Sequence, residues 1–172
     1  MRLILTAFGL SLAATPAIAA LPTGTKAPNF VTQGALGGKP FQLNLTEQLK
    51  HGPVVLYFYP KAFTKGCTLE ANAFSEAMPA FKAAGARVIG LSADTIDTLK
   101  KFSVEGCRSA FPVARADPKV IKAYDVALAS APLSNRTSYV IARDGRIVMV
   151  HSEMDWKDHV SKSLAAVQAL KR

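Results

Sequence analysis

The sequence predicts an α/β sandwich, a mixed β-sheet flanked by helices. Three observations carry this expectation. Short apolar runs rich in β-branched and aromatic residues recur at 54–59, 88–91 and 112–116. Stretches with apolar residues at helical spacing separate them. A hairpin and a last amphipathic stretch then close the chain. Strands that alternate with helices, followed by an antiparallel pair, give a mixed sheet covered by helices.

The elements follow in order. Residues 21–40 are rich in Pro, Gly and Thr, and Gly34, Gly37, Gly38 and Pro40 mark turns. Short strands are expected near 29–33 and 40–43. A short helix follows over 44–50, with Asn44 or Thr46 as its cap. The run 54–59 reads as a buried central strand. Over 67–84, Phe74, Ala77 and Phe81 fall at helical spacing. Pro79 removes one backbone donor there, so a kink is expected around 75–79. Gly85 ends that helix. A strand at 88–91 leads to a helix over 94–104, with Leu99 and Phe102 inward. The strand at 112–116 is followed by a helix over 117–124, where Pro118 suits the first helical position. Residues 127–136 read as a loop. Two runs, 138–142 and 147–151, flank Asp144-Gly145 and predict a hairpin. The last helix spans 156–170, with Trp156, Val160, Leu164 and Val167 on one face. No repeat, low-complexity segment or second domain is present in this pattern.

The 172 residues suffice for one domain with its own core. No apolar run is long enough to span a bilayer as a mature helix, so stable membrane insertion is not expected. The start of the chain differs. Arg2 precedes an apolar stretch at 3–14, then Pro16-Ala17-Ile18-Ala19-Ala20. A charged residue, an apolar core and an Ala-x-Ala site form a secretory signal. Residues 1–19 are therefore expected to be a signal peptide cleaved near Ala19, and 20–172 the exported, periplasmic domain. An uncleaved N-terminal helix is the alternative. The net charge of +9 falls to +8 without Arg2, and its basic residues are scattered rather than blocked. Such a pattern is a solvated surface, and no nucleic-acid partner is expected. Weak attraction to anionic membranes or to an acidic redox partner stays open.

The residue with most chemistry is Cys67. It lies in Pro60-Lys61-Ala62-Phe63-Thr64-Lys65-Gly66-Cys67, between the central strand and a helical pattern. Unpaired N–H groups and the positive end of the helix dipole gather at such a position. It favours thiolate, the reactive species. The second cysteine is Cys107. In an oxidising compartment the two form a static disulfide on one reading, which stabilises by about 4 kcal/mol for a loop of that length. A static bridge does not require the Pro60 and Thr64 surroundings. His51, His151 and His159 lack ligand spacing and no Cys-x-x-Cys occurs, so no metal site is expected. They read as surface or polar-packed histidines. No Gly-rich phosphate loop or haem motif is present, and no cofactor is expected.

Pro60, Thr64 and Cys67 in Pro-x-x-x-Thr-x-x-Cys resemble the active-site motif of the peroxiredoxins. Tyr57-Phe58-Tyr59-Pro60-Lys61 and Gly66-Cys67-Thr68-Leu69-Glu70-Ala71 resemble the bacterioferritin-comigratory, or Q-type, subfamily. Gly24-Thr25-Lys26-Ala27-Pro28-Asn29-Phe30 is similar to that family's N-terminal Gly-x-x-Ala-Pro-x-Phe. Asn135-Arg136-Thr137-Ser138-Tyr139-Val140-Ile141 is similar to the strand entry that carries its second arginine. The resemblance covers roughly residues 22–170.

The resemblance implies a thioredoxin-like fold and a thiol-dependent peroxidase acting on hydrogen peroxide and organic hydroperoxides. Its partners would be the peroxide and a thiol reductant such as a thioredoxin-like protein. Cys67 would be the attacking thiolate. Thr64 Oγ and Arg136, with the backbone N–H groups of Gly66 and Cys67, would hold the peroxide, and Pro60 would shield the sulfur. Glu70 matches a position near the arginine network, and also simply suits a helix first turn. Many Q-type members carry a resolving cysteine five residues after the first, where this chain has Asn72. Cys107 is then the expected resolving residue, reached after local unravelling near Cys67 or at 104–110. The alternatives are a one-cysteine cycle with an external thiol, an exported thiol–disulfide oxidoreductase, an exported copper-delivery protein on the same fold, and a redox-inert structural domain. Thr68-Leu69-Glu70 after Cys67 and Ala71 at the position of a copper protein's second cysteine weigh against the oxidoreductase and copper readings. A monomer is expected.

Overall fold

The computed structural model describes residues 20–171, and the expected signal peptide at 1–19 lies outside them. Seven strands form one sheet: β1 (Val31–Leu36), β2 (Lys39–Asn44), β3 (Val54–Phe58), β4 (Arg87–Ser92), β5 (Val113–Arg115), β6 (Thr137–Ile141) and β7 (Ile147–Ser152). Their order across the sheet is β2-β1-β5-β4-β3-β6-β7. The helices are α1 (Leu45–Leu49), α2 (Lys65–Ala83), α3 (Ile96–Glu105), α4 (Pro118–Ala123) and α5 (His159–Ala169). The sheet is mixed as expected: β3, β4 and β5 run parallel, and β6 pairs antiparallel with β3. Adjacency of β1 to β5, across the sheet from β3, is not visible in the order of the elements.

Period-two alternation in β3 divides the core. Val55 and Tyr57 point to the face covered by α2, α3 and α5, where they pack with Phe74, Leu99 and Val167. Val54, Leu56 and Phe58 point to the other face, with Leu45 and Leu49 of α1 and Val120 and Ile121 of α4. Both cysteines belong to the first layer. Local chemistry sets the joints. Gly37 and Gly38 both adopt positive φ, at 55° and 78°, and turn β1 directly into β2. Asn44, Thr95 and Asp117 accept hydrogen bonds from backbone N–H groups and cap α1, α3 and α4.

Two helix starts differ from expectation. Helix α2 begins at Lys65 rather than at 67, so Cys67 is its third residue. Pro79 lies inside this helix, which runs without interruption to Ala83. Helix α5 begins at His159, leaving Trp156 in the turn before it.

Tyr57 in β3 lies opposite Gly90 in β4, and its ring stacks on Phe74 with centroids 4.4 Å apart. A Cβ on Gly90 would meet the Tyr57 ring and hydroxyl at 2.8 Å. Gly90→Ala is expected to destabilise the fold by about 1–3 kcal/mol, read from the urea midpoint. An unchanged midpoint would mean that the Tyr57 ring is free to move aside.

Candidate active site

The site is built where β3 hands over to α2. Residues 59–64 cross the end of the sheet and are pinned by two side chains. Asp94 Oδ2 accepts from the Ala62 N–H at 2.8 Å and from Ser92 Oγ at 2.8 Å. The buried Ser134 hydroxyl donates to the Tyr59 carbonyl at 2.9 Å. The chain then passes through Phe63, a bulky residue at φ 64°, before α2 starts. A left-handed conformation is unfavourable for such a residue, so the surroundings must enforce it. Phe63 packs edge-on against Phe102 of α3, centroids 5.1 Å apart.

Thr64 is the N-cap residue of α2, and the first helical bond runs from Thr68 N to Thr64 O at 2.9 Å. The N–H groups of Lys65, Gly66 and Cys67 therefore have no partner within the helix. Cys67 itself is buried, and its sulfur sits behind that first turn. Pro60 is half-buried. The Thr64 hydroxyl donates to the Lys61 carbonyl at 3.0 Å. Its single proton is thereby engaged, which leaves the Thr64 oxygen free to accept a hydrogen bond.

Arg136, just before β6, reaches this turn across the sheet. Nη2 lies 3.5 Å from Cys67 Sγ, Nη1 donates to Glu70 Oε2, and Nε donates to the Met154 carbonyl at 2.9 Å. All edges of the guanidinium are thus held. Gly66 makes room for it, since a Cβ there would lie 3.3 Å from Nη2. The positive charge beside the sulfur complements a thiolate.

Glu70 is completely buried one turn after Cys67. Burial pushes its carboxyl up, to about 8, against the opposing pull of Arg136. Behind it lies His159, also completely buried, with Nδ1 2.8 Å from Ser138 Oγ and Nε2 2.9 Å from the Glu153 carbonyl. Burial holds His159 down, to about 4, so it is neutral near pH 7. Sequence reading places His159 at the surface or in polar packing; the structure puts it in the layer directly behind the site. Only its position at the start of an amphipathic helix hints at this.

Cys107 lies in the turn after α3, completely buried and unbridged. Its carbonyl accepts from Ser75 Oγ of α2 at 2.9 Å. Burial pushes its thiol far above the usual range. The next two residues, Arg108 and Ser109, adopt positive φ of 49° and 56°. The structure thus brings Cys67, Arg136 and Glu70 together, sets Thr64 and Pro60 on the approach, and keeps Cys107 in the same core layer as a closed-off thiol.

A buried cysteine at a helix start, clamped by an arginine on a mixed sheet, defines a thiol-redox protein of thioredoxin-like architecture. Residues 23–150 match the AhpC/TSA family, and the chain belongs to it. Peroxiredoxin Q of Oryza sativa subsp. japonica, a chloroplastic protein, is 32% identical over 91% of this chain and 77% of its own length. Peroxiredoxin Bcp of Xanthomonas campestris is 30% identical over 67% of this chain and 76% of its own. The crystal structure of peroxidoxin BcpB from Mycobacterium tuberculosis superposes with a TM-score of 0.75 at 32% identity, covering 87% of this chain and 98% of that one. Within the family the chain is of the Q type, and thiol-dependent reduction of peroxides is the activity that goes with it.

His159 also gives the fold a pH dependence. The unfolded chain protonates this group near 6.5, the fold only near 4. Its contribution is complete above 6.5 and is lost as pH falls from there toward 4, by roughly 3 kcal/mol. Urea unfolding is expected to show this acid loss in the native chain and a shallower one in His159→Gln. Equal slopes between pH 6.5 and 4.5 would refute it.

Proposed function

We propose that Cys67 is the peroxidatic cysteine of this peroxidase and Cys107 its resolving partner. The observation that carries the reading is the Arg136 guanidinium, held within 3.5 Å of a sulfur at a helix N-terminus. The thiolate attacks one peroxide oxygen: an S–O bond forms, the O–O bond breaks, and the departing oxygen leaves as water or alcohol after taking a proton. Arg136 and the free N–H groups of the first turn face the charge that grows on the oxygens. Thr64 accepts the hydrogen of the attacked peroxide and orients it. Pro60 limits the access of water. The substrates are hydrogen peroxide and organic hydroperoxides.

Cys67 is then a sulfenic acid and must be returned to the thiol before further oxidation. Cys107 attacks its sulfur, an S–S bond forms, and water leaves. A dithiol reductant, such as a thioredoxin-like protein, regenerates both thiols by exchange. In the resting fold Cys107 is sealed, so the turn that carries it must open. The left-handed Arg108 and Ser109 beside it, and Phe63 ahead of α2, are where strain favours such opening. A one-cysteine cycle, with an external thiol attacking Cys67, is the second reading; it is favoured by the burial of Cys107.

The domain is read as an exported, periplasmic monomer spanning 20–172 after removal of 1–19. Ala20 is buried and the Leu21 N–H donates to the Tyr139 hydroxyl at 3.0 Å, so the fold includes the residues that follow the proposed cleavage point. No helix among the described residues is long and apolar enough to cross a membrane.

Intact mass after one equivalent of hydrogen peroxide tests the cycle. The reduced mature chain, expected to begin at Ala20, loses two hydrogens, while Cys107→Ser gains one oxygen at Cys67. A native chain that also stops at one added oxygen would support the one-cysteine cycle, and an inert Cys67 would sink the reading. Arg136→Lys keeps the charge but not the planar clamp, and is expected to lower the rate of Cys67 oxidation about 100-fold in stopped flow. A loss below threefold would remove Arg136 from the proposed machinery.

A further inference from the structure

Helix α2 carries Cys67 near its start and meets the Cys107 turn further down. Cys67, Ala71 and Ser75 stand four residues apart, so they form one stripe along the helix. At 1.5 Å per residue, Ser75 lies roughly 12 Å from Cys67 along the axis. There Ser75 Oγ meets two carbonyls, that of Ala71 at 2.8 Å and that of Cys107 at 2.9 Å. The second cysteine is thus moored about two turns down the helix that holds the first. The turn has to leave this mooring for Cys107 to reach the sulfur of Cys67.

The backbone bonds of the turn run back to α3 or stay within the turn. The Gly106 and Cys107 N–H groups donate to the Phe102 carbonyl, each at 2.9 Å. Ser109 N–H donates to the Ser103 carbonyl and Ala110 N–H to the Cys107 carbonyl, also at 2.9 Å. None of these bonds spans more than six residues, so the turn and the end of α3 form one unit. Two contacts fasten that unit to α2. One is the Ser75 bond, which is partly buried. The other is the ion pair of Glu76 with Arg108 at 3.2 Å. Its side chains are 69% and 53% exposed, so it is worth little, and the Ser75 bond is the firmer of the two.

A hydroxyl has one hydrogen, and Ser75 offers it to both carbonyls. The contact is therefore easily reversed. When the turn moves off, the hydrogen stays on the Ala71 carbonyl inside the same helix, and no buried donor is stranded. The Cys107 carbonyl keeps its bond from the Ala110 N–H. Backbone strain works against the contact. Arg108 and Ser109, next to Cys107, hold φ of 49° and 56°, which is unfavourable for any residue with a Cβ. A strained turn, one shielded fastening to the neighbouring helix and a standby acceptor together define two positions of the turn.

We propose that Ser75 is a positioning residue whose hydroxyl latches the Cys107 turn to α2, and that the turn opens by leaving this hydroxyl while α2 stays helical. In the resting protein the latch keeps Cys107 closed off. On release the turn moves with the end of α3. The place of the latch in the cycle rests on Cys107 being the resolving thiol, and the inference goes beyond that reading by naming the bond that governs its release.

The test is iodoacetamide labelling of Cys107 in a Cys67→Ser background, where Cys107 is the one cysteine left. Labelling needs no peroxide, so failure of the peroxidase or resolving reading would show separately, in the mass experiment. Ser75→Ala removes the hydroxyl and favours the helix, so α2 is preserved. It is expected to raise the labelling rate about fivefold, the size of one net hydrogen bond. Ser109→Gly relieves left-handed strain and is expected to lower the rate about threefold. Low concentrations of urea separate the latch from a merely structural serine. Labelling through a local opening is nearly flat in urea, whereas labelling through global unfolding rises steeply. An unchanged or slower rate in Ser75→Ala, or a urea dependence as steep as global unfolding, would overturn the latch. In the chain with both cysteines, Ser75→Ala is expected to shorten the life of the one-oxygen form of Cys67 about fivefold after peroxide. An unchanged or longer life would overturn the place of the latch in the cycle.

Discussion

Arg136 brings a permanent charge and a planar fork of donors into a space that it shares with the Glu70 carboxyl and the Cys67 sulfur. Everything near the sulfur is arranged around that fork. Gly66 lacks a side chain where Nη2 passes. The Met154 carbonyl holds Nε from the segment before α5. Removing the arginine would leave a buried carboxyl and a buried sulfur without their counter-charge, and breaking such a pair costs about 3–5 kcal/mol.

The legible part of this fold is the part written in periodicity. The all-buried run of β3, the cap at Asn44, the proline that opens α4 and the Asp144-Gly145 hairpin are local patterns, and local patterns survive in a sequence. Cys67 was visible for the same reason, because its strand, loop and helix are consecutive. Glu70 and His159 were not. One reads equally well as a helix-start carboxylate, and the other as a polar-packed histidine. Their meaning comes from a meeting of α2 with α5 across the end of the sheet, and no sequence spacing encodes a 3.8 Å approach between residues 70 and 159. Thr64 shows a subtler limit. Its place in the motif was readable, but the direction of its hydroxyl depends on the Lys61 carbonyl.

Strain is distributed unevenly around the two thiols. Phe63 stands ahead of Cys67, and Arg108 with Ser109 behind Cys107, all in left-handed conformations without being glycine. Against them stand Asp94 and Ser134, which tether the backbone of the loop before α2. The loop before α2 is thus pinned by side-chain bonds, while the turn around Cys107 is held by the Ser75 contact and by backbone bonds from the Cys107, Ser109 and Ala110 N–H groups to the Phe102, Ser103 and Cys107 carbonyls.

The guanidinium that meets the sulfur comes from 69 residues further along the chain, beside a strand that joins β3 only after β4 and β5 have been made. A polypeptide emerging residue by residue carries at position 67 nothing more than an ordinary thiol. Only completion of the sheet sets a guanidinium beside it.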